Sequence, residues 1–220
     1  MQPSTAILLF SRSAAAEAVW KFGASGRIGK PLSTALIRRT RQTLQRSGLP
    51  VYAFHEDEQR GDTFGARLTY CMERVFAAGH EEVIVVGNDC PDLSVGHLGR
   101  AADLLARGHQ VLGRDGRGGV WILGMTRAAF DADALRNLRW QTAQLATDLS
   151  NVLRGARELC SLRDVNELRD LRRGWWRWKG LFAGLFAFLH RRAALVPMCP
   201  DYPSRSAPPN LPGRAPPAAA

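Results

Sequence analysis

Residues 82–93 read EVIVVGNDCPDL, and this stretch decides the fold of the chain. Its first five residues are mostly β-branched and apolar without clean alternation, which is typical of a strand buried on both faces within a parallel sheet. Gly87 ends the strand, and Pro91 prevents further strand pairing. Asp89 and Asp92 are therefore predicted to lie at the carboxyl end of a central strand.

These two carboxylates have a functional and a structural interpretation. Ligands of open α/β sheets bind at the carboxyl edge of the strands, and Mg²⁺ favours the hard oxygen ligands that carboxylates supply. Asp89 and Asp92 are accordingly predicted to act at a site for a cation and phosphate. In the structural alternative, Asp92 begins a turn or caps the next helix.

Segments with strand and helix character alternate along the rest of the chain. Predicted strands cover residues 5–10, 51–54, 82–86, 110–113, 120–125 and 158–162, and predicted helices cover 14–20, 33–47, 66–78, 95–107 and 143–153. This alternation predicts a doubly wound α/β fold with a mostly parallel sheet. The segments 110–113 and 120–125 form either a hairpin or two neighbouring strands joined across a site loop.

The composition predicts one domain with an appendage. A chain of 220 residues with 45% hydrophobic residues is long enough to bury a sizeable core. From Val165 onward there are nine Lys or Arg against three Asp or Glu, compared with 21 against 17 before it. Because the basic excess belongs to the C-terminal part, no specific nucleic-acid partner is expected. The four unpaired-looking cysteines and the absence of a leader pattern predict a reduced, cytoplasmic setting.

Polar loops follow the first two predicted strands. Ser11 and Arg12 come directly after the first strand, at the same carboxyl edge, and Lys21 follows the first predicted helix, so these residues are predicted to bind the anionic ligand. Residues 26–31, GRIGKP, lack the full spacing of a phosphate-binding loop and are predicted to be a flexible basic loop, with contact to phosphate as the alternative. Residues 55–65 hold several acids and one histidine, which is typical of a solvated loop, with a metal site as the alternative.

Four glycines and one threonine are further candidates for ligand binding. Gly61 and Gly65 allow close backbone approach near a helix start, where N–H groups are unpaired. Gly118 and Gly119 leave no side chain between backbone and ligand, or alternatively form an ordinary tight turn. Thr142 precedes the last helix, as a cap or as a ligand contact.

Several stretches carry a resemblance to a known family. They are residues 87–93, 111–113 with 118–124, 140–142, and 162–166 with 170–171. In order and spacing they resemble the DUF2064 family, which is glycosyltransferase-like, has the GT-A (nucleotide-diphospho-sugar transferase) fold and is also similar to the molybdenum-cofactor and phospholactate nucleotidyltransferases. Residues 59–67 resemble the loop before the family's second helix, so the resemblance covers roughly residues 5–171.

The resemblance implies both a reaction and site residues. It implies that Asp89 is a metal ligand at the nucleotide diphosphate, that Asp164 is a second acid on the same Mg²⁺ or Mn²⁺, and that both act in catalysis. Gly118 and Gly119 would line the acceptor or sugar pocket. The implied reaction is sugar transfer from a nucleotide-diphospho-sugar to a small-molecule acceptor. The alternative is nucleotidyl transfer from an NTP to a phosphorylated small molecule.

Two departures from the family pattern bear on activity. The family usually has Lys-Thr-Arg in its first loop, where this chain has residues 14–20 with only Arg12 and Lys21 nearby. The family also usually has Asp before the paired glycines, where this chain has Arg117. Arg117 could also replace the charge of the cation. These departures therefore leave two further alternatives, a metal-independent enzyme and a catalytically inactive binding protein on the same fold.

The C-terminal part divides into two regions after the domain at residues 1–171. Residues 172–196 form a basic, Trp-rich helical extension whose apolar run of about nine residues is too short to span a bilayer. Residues 174–192 combine tryptophans with Lys and Arg, which predicts peripheral contact with the inner face of the membrane. The alternative is that this helix packs back on the sheet or forms a dimer contact. Residues 197–220 are rich in Pro and Ala and are predicted to be disordered.

Overall fold

A computed structural model describes residues 4–22, 29–167, 169–171, 173–174, 176–180 and 182–183. The tail predicted to be disordered, most of the apolar run of the Trp-rich extension, and residues 23–28 of the basic-loop region lie outside these ranges. Within them, no helix has both the length and the apolar character required to cross a bilayer.

A single sheet organises the described part of the chain. Its strands are β1 (Thr5–Phe10), β2 (Val51–Phe54), β3 (Glu82–Val86), β4 (Val111–Arg114), β5 (Val120–Thr126) and β6 (Arg157–Leu159), in the spatial order β2-β1-β3-β5-β4-β6. β1 pairs in parallel with β2 and β3, and β4 pairs in parallel with β6. β5 is antiparallel to both β3 and β4. The prediction of an α/β fold with a mostly parallel sheet is therefore confirmed, and the segments 110–113 and 120–125 form the hairpin.

Helices connect the strands and cover both faces of the sheet. They are α1 (Ala14–Phe22), α2 (Gly29–Arg46), α3 (Phe64–Ala77), α4 (Val95–Leu105), α5 (Ala132–Arg136) and α6 (Leu145–Val152), with a 3₁₀ turn at Arg127–Ala129. α2 begins inside the predicted basic loop, because Pro31 is tolerated in the first turn of a helix. The short α5 was not predicted; its N-cap Asp131 accepts a hydrogen bond from the Ala134 amide at 2.9 Å.

β3 is the buried centre that its sequence predicts, with all five residues buried. Val83 and Val85 face a cluster that includes Leu68 and Met72 of α3, whereas Ile84 and Val86 face a cluster that includes Leu98 and Leu105 of α4. Both faces are thus covered, which explains why the strand has no polar alternation.

The topology also brings several loops to one edge. Since β1, β3, β4 and β6 run in the same direction, the loops after these strands meet at the carboxyl edge, together with the start of the reversed strand β5. This edge carries Ser11, Asp89, Asp115, Gly119 and Asp164.

Candidate functional site

A cavity of about 680 Å³ opens at this carboxyl edge. The loop after β3 is joined to the segment after β6 by a backbone hydrogen bond from the Val165 amide to the Asp89 carbonyl, at 2.7 Å. The charged residues of the cavity lining are the acids Glu17, Glu56, Asp89, Asp115, Asp164 and Glu167 and the bases Arg12, Lys21, Arg67, Arg117 and Arg169.

Asp164 is the most unusual of these acids. It is only 7% exposed, and its Oδ1 atom has no hydrogen-bond partner among the described residues. Burial, followed by the negative charges of Asp89 and Asp115, raises the pKa of Asp164 well above its usual range, while Lys21 and Arg117 oppose this shift. The protonated form of Asp164 is therefore favoured in the free protein, and a bound cation would favour the ionised form.

Asp89 is held by a buried lysine. Lys21 Nζ lies 3.3 Å from Asp89 Oδ2 and 3.3 Å from Glu17 Oε2, and the lysine side chain is only 7% exposed. Burial acts to lower the pKa of Lys21, but the two carboxylates outweigh it, so that the pKa is raised. Lys21 therefore stays charged beside Asp89.

The turn between β4 and β5 is built around Asp115. Asp115 Oδ1 accepts hydrogen bonds from the backbone amides of Arg117 at 2.7 Å and Gly119 at 2.9 Å. A Cβ atom on Gly119 would come within 2.6 Å of Asp115 Oδ2, so a larger residue at this position of the cavity wall would displace the Asp115 carboxylate. Gly118 has φ +90°, and a Cβ atom there would lie 1.9 Å from the Ala143 carbonyl oxygen. Gly118 thus packs against the segment before α6 and does not line the cavity.

Arg117 joins this turn to the segment after β6. Its Nη1 atom lies 3.2 Å from both carboxylate oxygens of Asp170, and its Nη2 atom donates to the Asp164 carbonyl at 2.9 Å. Asp170 also accepts from the backbone amides of Asn166 and Glu167. The departure from the family pattern at position 117 therefore has a structural role.

Three further predicted ligand residues line the cavity, namely Ser11, Arg12 and Thr142. Ser11 is buried, with its Oγ atom 3.4 Å from His55 Nδ1. The Arg12 guanidinium lies 4.5 Å from the centre of the Trp20 ring, a cation–π contact. Thr142 donates from its hydroxyl to a backbone carbonyl three residues earlier, at 2.7 Å, which makes it a turn contact as well.

Asp92, Gly61 and Gly65 are not brought to the cavity. The carboxylate of Asp92 instead accepts from Trp178 Nε1 at 3.0 Å and lies 3.0 Å from Arg177 Nη2. It does not cap α4 either, since Ser94 occupies the N-cap.

The two glycines have local packing roles. A Cβ atom on Gly65 would lie 2.6 Å from the Arg136 carbonyl oxygen and 2.8 Å from Trp140 Nε1. A Cβ atom on Gly61, which has φ +123°, would lie 2.7 Å from Ala66 Cβ. Both glycines therefore allow close packing around the start of α3.

The described residues of the C-terminal extension pack back on the domain, as in the alternative to membrane contact. Trp178 and Phe182 are 5% and 1% exposed and lie in a cluster with Leu36 of α2 and Val165. Trp176, in contrast, is 71% exposed. Membrane contact by this extension stays a prediction.

The donor set of the cavity fits a divalent cation held together with a substrate. Among the described residues, no group of three or more His, Cys, Asp or Glu is arranged to hold a metal ion. Asp89 and Asp164 nevertheless present two carboxylates to the same cavity, and the Asp164 Oδ1 atom lacks a partner. Mg²⁺ commonly binds in this way, through one or two carboxylates with substrate phosphates and water completing its coordination.

Comparison with solved structures identifies the class of fold. A protein from Desulfovibrio desulfuricans G20, named provisionally as a nucleotide-diphospho-sugar transferase, matches with a TM-score of 0.64 and 19% identity, over 76% of this chain and 84% of that one. The chain therefore shares the fold of that protein. Rv0371c of Mycobacterium tuberculosis H37Rv is a weaker match, with a TM-score of 0.46 and 19% identity over 78% and 98% of the two chains.

Comparison with families then specifies the resemblance. The sequence model of the family described as "Uncharacterized protein conserved in bacteria (DUF2064)" matches residues 38–142. The match confirms the resemblance to DUF2064 and contains the motifs at 87–93, 111–124 and 140–142, while the motif at 162–171 lies beyond it. No curated protein matches the chain.

Sequence reasoning did not identify four of the six acids of the cavity as site residues, namely Glu17, Glu56, Asp115 and Glu167. Two of them, Asp115 and Glu17, carry a local signal in the sequence. The Asp115-Gly116 pair is a turn signal, and an aspartate in a turn commonly accepts from amides further along the backbone. Glu17 lies four residues before Lys21, the spacing at which helical side chains pair. Both signals are local and could have placed these residues beside the predicted site.

Proposed function

We propose that the cavity binds a nucleotide-diphospho-sugar with a divalent cation and that the protein transfers the sugar to a small-molecule acceptor. The observation that carries this proposal is Asp164, a buried acid with a partnerless oxygen, which lines the same cavity as Asp89. A volume of about 680 Å³ is typical of small-molecule sites. The position at the carboxyl edge agrees with ligand binding in open α/β sheets.

In this proposal the residues of the cavity have different roles. Asp89 and Asp164 would hold Mg²⁺ or Mn²⁺, which when bound supplies positive charge for the leaving nucleoside diphosphate. Lys21 fixes the Asp89 carboxylate from the side, at 3.3 Å, and adds a permanent positive charge. Arg117 holds the segment that carries Asp164 in place by its bond to the Asp164 carbonyl.

Nucleotidyl transfer is the second candidate, and two cations of the lining favour it. Arg12 and Arg67 line the cavity and form none of the ion pairs found among the described residues, so their charge is open to the phosphates of a nucleoside triphosphate. In this reaction a phosphate of the small molecule attacks the α-phosphate of the NTP, and pyrophosphate leaves. Release of pyrophosphate instead of a nucleoside diphosphate would distinguish it from sugar transfer.

The anchoring of Arg117 weakens the argument for an inactive protein. Its guanidinium is bonded to Asp170 and to the Asp164 carbonyl, and these contacts support a carboxylate of the proposed site. A binding protein without catalysis would still show ligand binding at this cavity, but no product.

Thermal unfolding of the full chain with UDP-, GDP- and ADP-sugars and with each NTP tests the proposal. We expect stabilisation by at least one nucleotide only when Mg²⁺ or Mn²⁺ is present. Asp164→Asn should abolish this stabilisation, whereas Asp103→Asn, at an exposed position of α4 outside the cavity, should retain it. If no nucleotide stabilises the wild-type protein with either cation, the proposal is wrong.

A further inference from the structure

A second concave surface, the basic groove, lies at the opposite edge of the sheet. It has a volume of about 490 Å³ and lies where α4 ends and β6 begins. Its lining residues are Arg100, Leu104, Arg107, His109, Ala156, Arg157, Glu158 and Leu159. Since His109 precedes β4 and Arg157 starts β6, the groove lies at the amino ends of these parallel strands. The cavity described above lies at their carboxyl ends.

The cations of the groove come from separate elements that the fold brings together. Arg100 lies four residues before Leu104 and therefore on the same side of α4. Arg107 lies in the turn after the helix, where its backbone amide donates to the Leu104 carbonyl at 3.1 Å. Arg157 belongs to β6, and its backbone amide donates to the Gln110 carbonyl at 2.7 Å, which fixes it beside the turn before β4.

The positive charge of the groove is not balanced within the described part of the chain. Its one acid, Glu158, is engaged by Arg114, with Oε1 2.8 Å from Arg114 Nη2. Arg100, Arg107 and Arg157 form none of the ion pairs found among the described residues. A cation near a helix carboxyl end stabilises the helix dipole, which gives Arg107 a structural role. That explanation does not extend to Arg157, which lies on a strand.

We propose that the basic groove binds a small phosphorylated molecule, at a site separate from the proposed transfer site. Arginine guanidinium groups match phosphate oxygens in bidentate geometry, and three of them without carboxylate partners line this groove. Leu104 and Leu159 supply apolar wall for the remainder of the ligand. The concave shape of the groove and its volume of about 490 Å³ favour a small molecule over a nucleic acid or a membrane surface, which require an extended basic face.

Pyrophosphate is the probe for the test, titrated into the ¹⁵N-labelled full chain at constant ionic strength with EDTA present. We expect saturable chemical-shift changes in the amides of residues 107–111 and 156–159. The double variant Arg100→Gln/Arg157→Gln should lower the affinity by about tenfold or more, the effect of losing charge-assisted hydrogen bonds. Unchanged spectra away from the groove would show that this variant is folded.

The matched control is Arg38→Gln/Arg46→Gln, which removes the same charge from exposed positions of α2 outside the groove and should bind like the wild type. Equal weakening by the control, or a lack of saturation, would mean an adventitious ion only and overturn the proposal. Shifts confined to residues 87–89 and 115–119 would overturn it as well. So would binding of a DNA oligonucleotide or anionic vesicles through these arginines without binding of pyrophosphate.

This inference stands apart from the proposed transfer reaction. Asp164→Asn, which should abolish nucleotide binding at the cavity, is expected to leave pyrophosphate binding at the basic groove within about twofold of the wild type, because nothing in the groove contacts Asp164. Loss of pyrophosphate binding in this variant would show that the probe reports on the cavity instead.

Discussion

Asp89 and Asp92 lie three residues apart in one loop, yet they serve different parts of the molecule. Asp89 lines the cavity beside Lys21, whereas Asp92 contacts Trp178 and Arg177 of the C-terminal extension. Cys90 lies between them and is 4% exposed, so the loop is anchored in the core while its two carboxylates contact different elements. The position of an acid after a central strand therefore does not decide whether it belongs to the cavity. The residues that its carboxylate contacts decide this.

The largest expected effect is on ligand binding. Asp89→Asn should lower the cation-dependent affinity for nucleotide by about a thousandfold, or ~4 kcal/mol, because it removes a charged ligand of the proposed cation. Asp92→Asn, the matched substitution in the same loop, should leave that affinity within about twofold of the wild type. Isothermal titration calorimetry with Mn²⁺ and the stabilising nucleotide measures both. If Asp92→Asn lost more nucleotide affinity than Asp89→Asn, then Asp92 and not Asp89 would be the residue that acts at the cavity.

The second-largest expected effect is on the free energy of unfolding and concerns Trp178, which donates a hydrogen bond to Asp92. Trp178→Ala removes a buried ring from the cluster with Leu36 and Val165 and should lower the free energy of unfolding by about 3 kcal/mol. Trp176→Ala, at a position that is 71% exposed, should change it by only about 0.5 kcal/mol or less. Urea denaturation of the two variants checks this difference. Equal effects would mean that the extension does not dock as described.

A third prediction concerns pH and separates Asp164 from other acids. Because the pKa of Asp164 is raised in the folded protein, the folded state binds a proton more tightly than the unfolded state does. The contribution of Asp164 to stability is therefore lost as the pH rises from its unfolded pKa, near ~3.9, through the raised folded value.

Asp164→Asn should remove this loss. We expect the stability of the variant relative to wild type to increase with pH, as measured by denaturant unfolding between about pH 4 and pH 8. Asp103→Asn is the control and should run parallel to the wild type. A constant difference between Asp164→Asn and the wild type would contradict the raised pKa of Asp164, which is caused first by burial and then by the charges of Asp89 and Asp115.

The sequence predicts the sheet well because its signals are local. The uninterrupted apolar residues of β3 indicate burial on both faces, and the direction of the strand places Asp89 at the carboxyl edge. The position of β5 between β3 and β4 was left open, since a hairpin and two neighbouring strands share the same local pattern. The five-residue helix α5 was missed because a single turn and a half shows too little periodicity to register.

The candidate site was predictable only in part, because its other contacts are long-range. Lys21 reaches Asp89 from 68 positions away, and Trp178 reaches Asp92 from 86 positions away. Contacts between residues this far apart in sequence produce no periodic pattern from which they could be predicted. The Asp92 side chain points towards the C-terminal extension, so its direction could be predicted only from knowledge of where that extension packs. Arg117 is a similar case, because its position is fixed by Asp170, which is distant in sequence.

The smallest expected effect isolates the contact between Asp92 and the extension. Trp178→Phe keeps most of the buried ring but removes the N–H group that donates to Asp92 Oδ1 at 3.0 Å, and should lower the free energy of unfolding by about 1 kcal/mol. Arg177 is 45% exposed, so its ion pair with Asp92 contributes less than a buried pair would. In a double-mutant cycle, Trp178→Phe and Asp92→Ala should show a coupling of about 0.5–1 kcal/mol. Zero coupling would mean that this hydrogen bond does not hold the extension, and Asp92 would again be available for a role at the cavity.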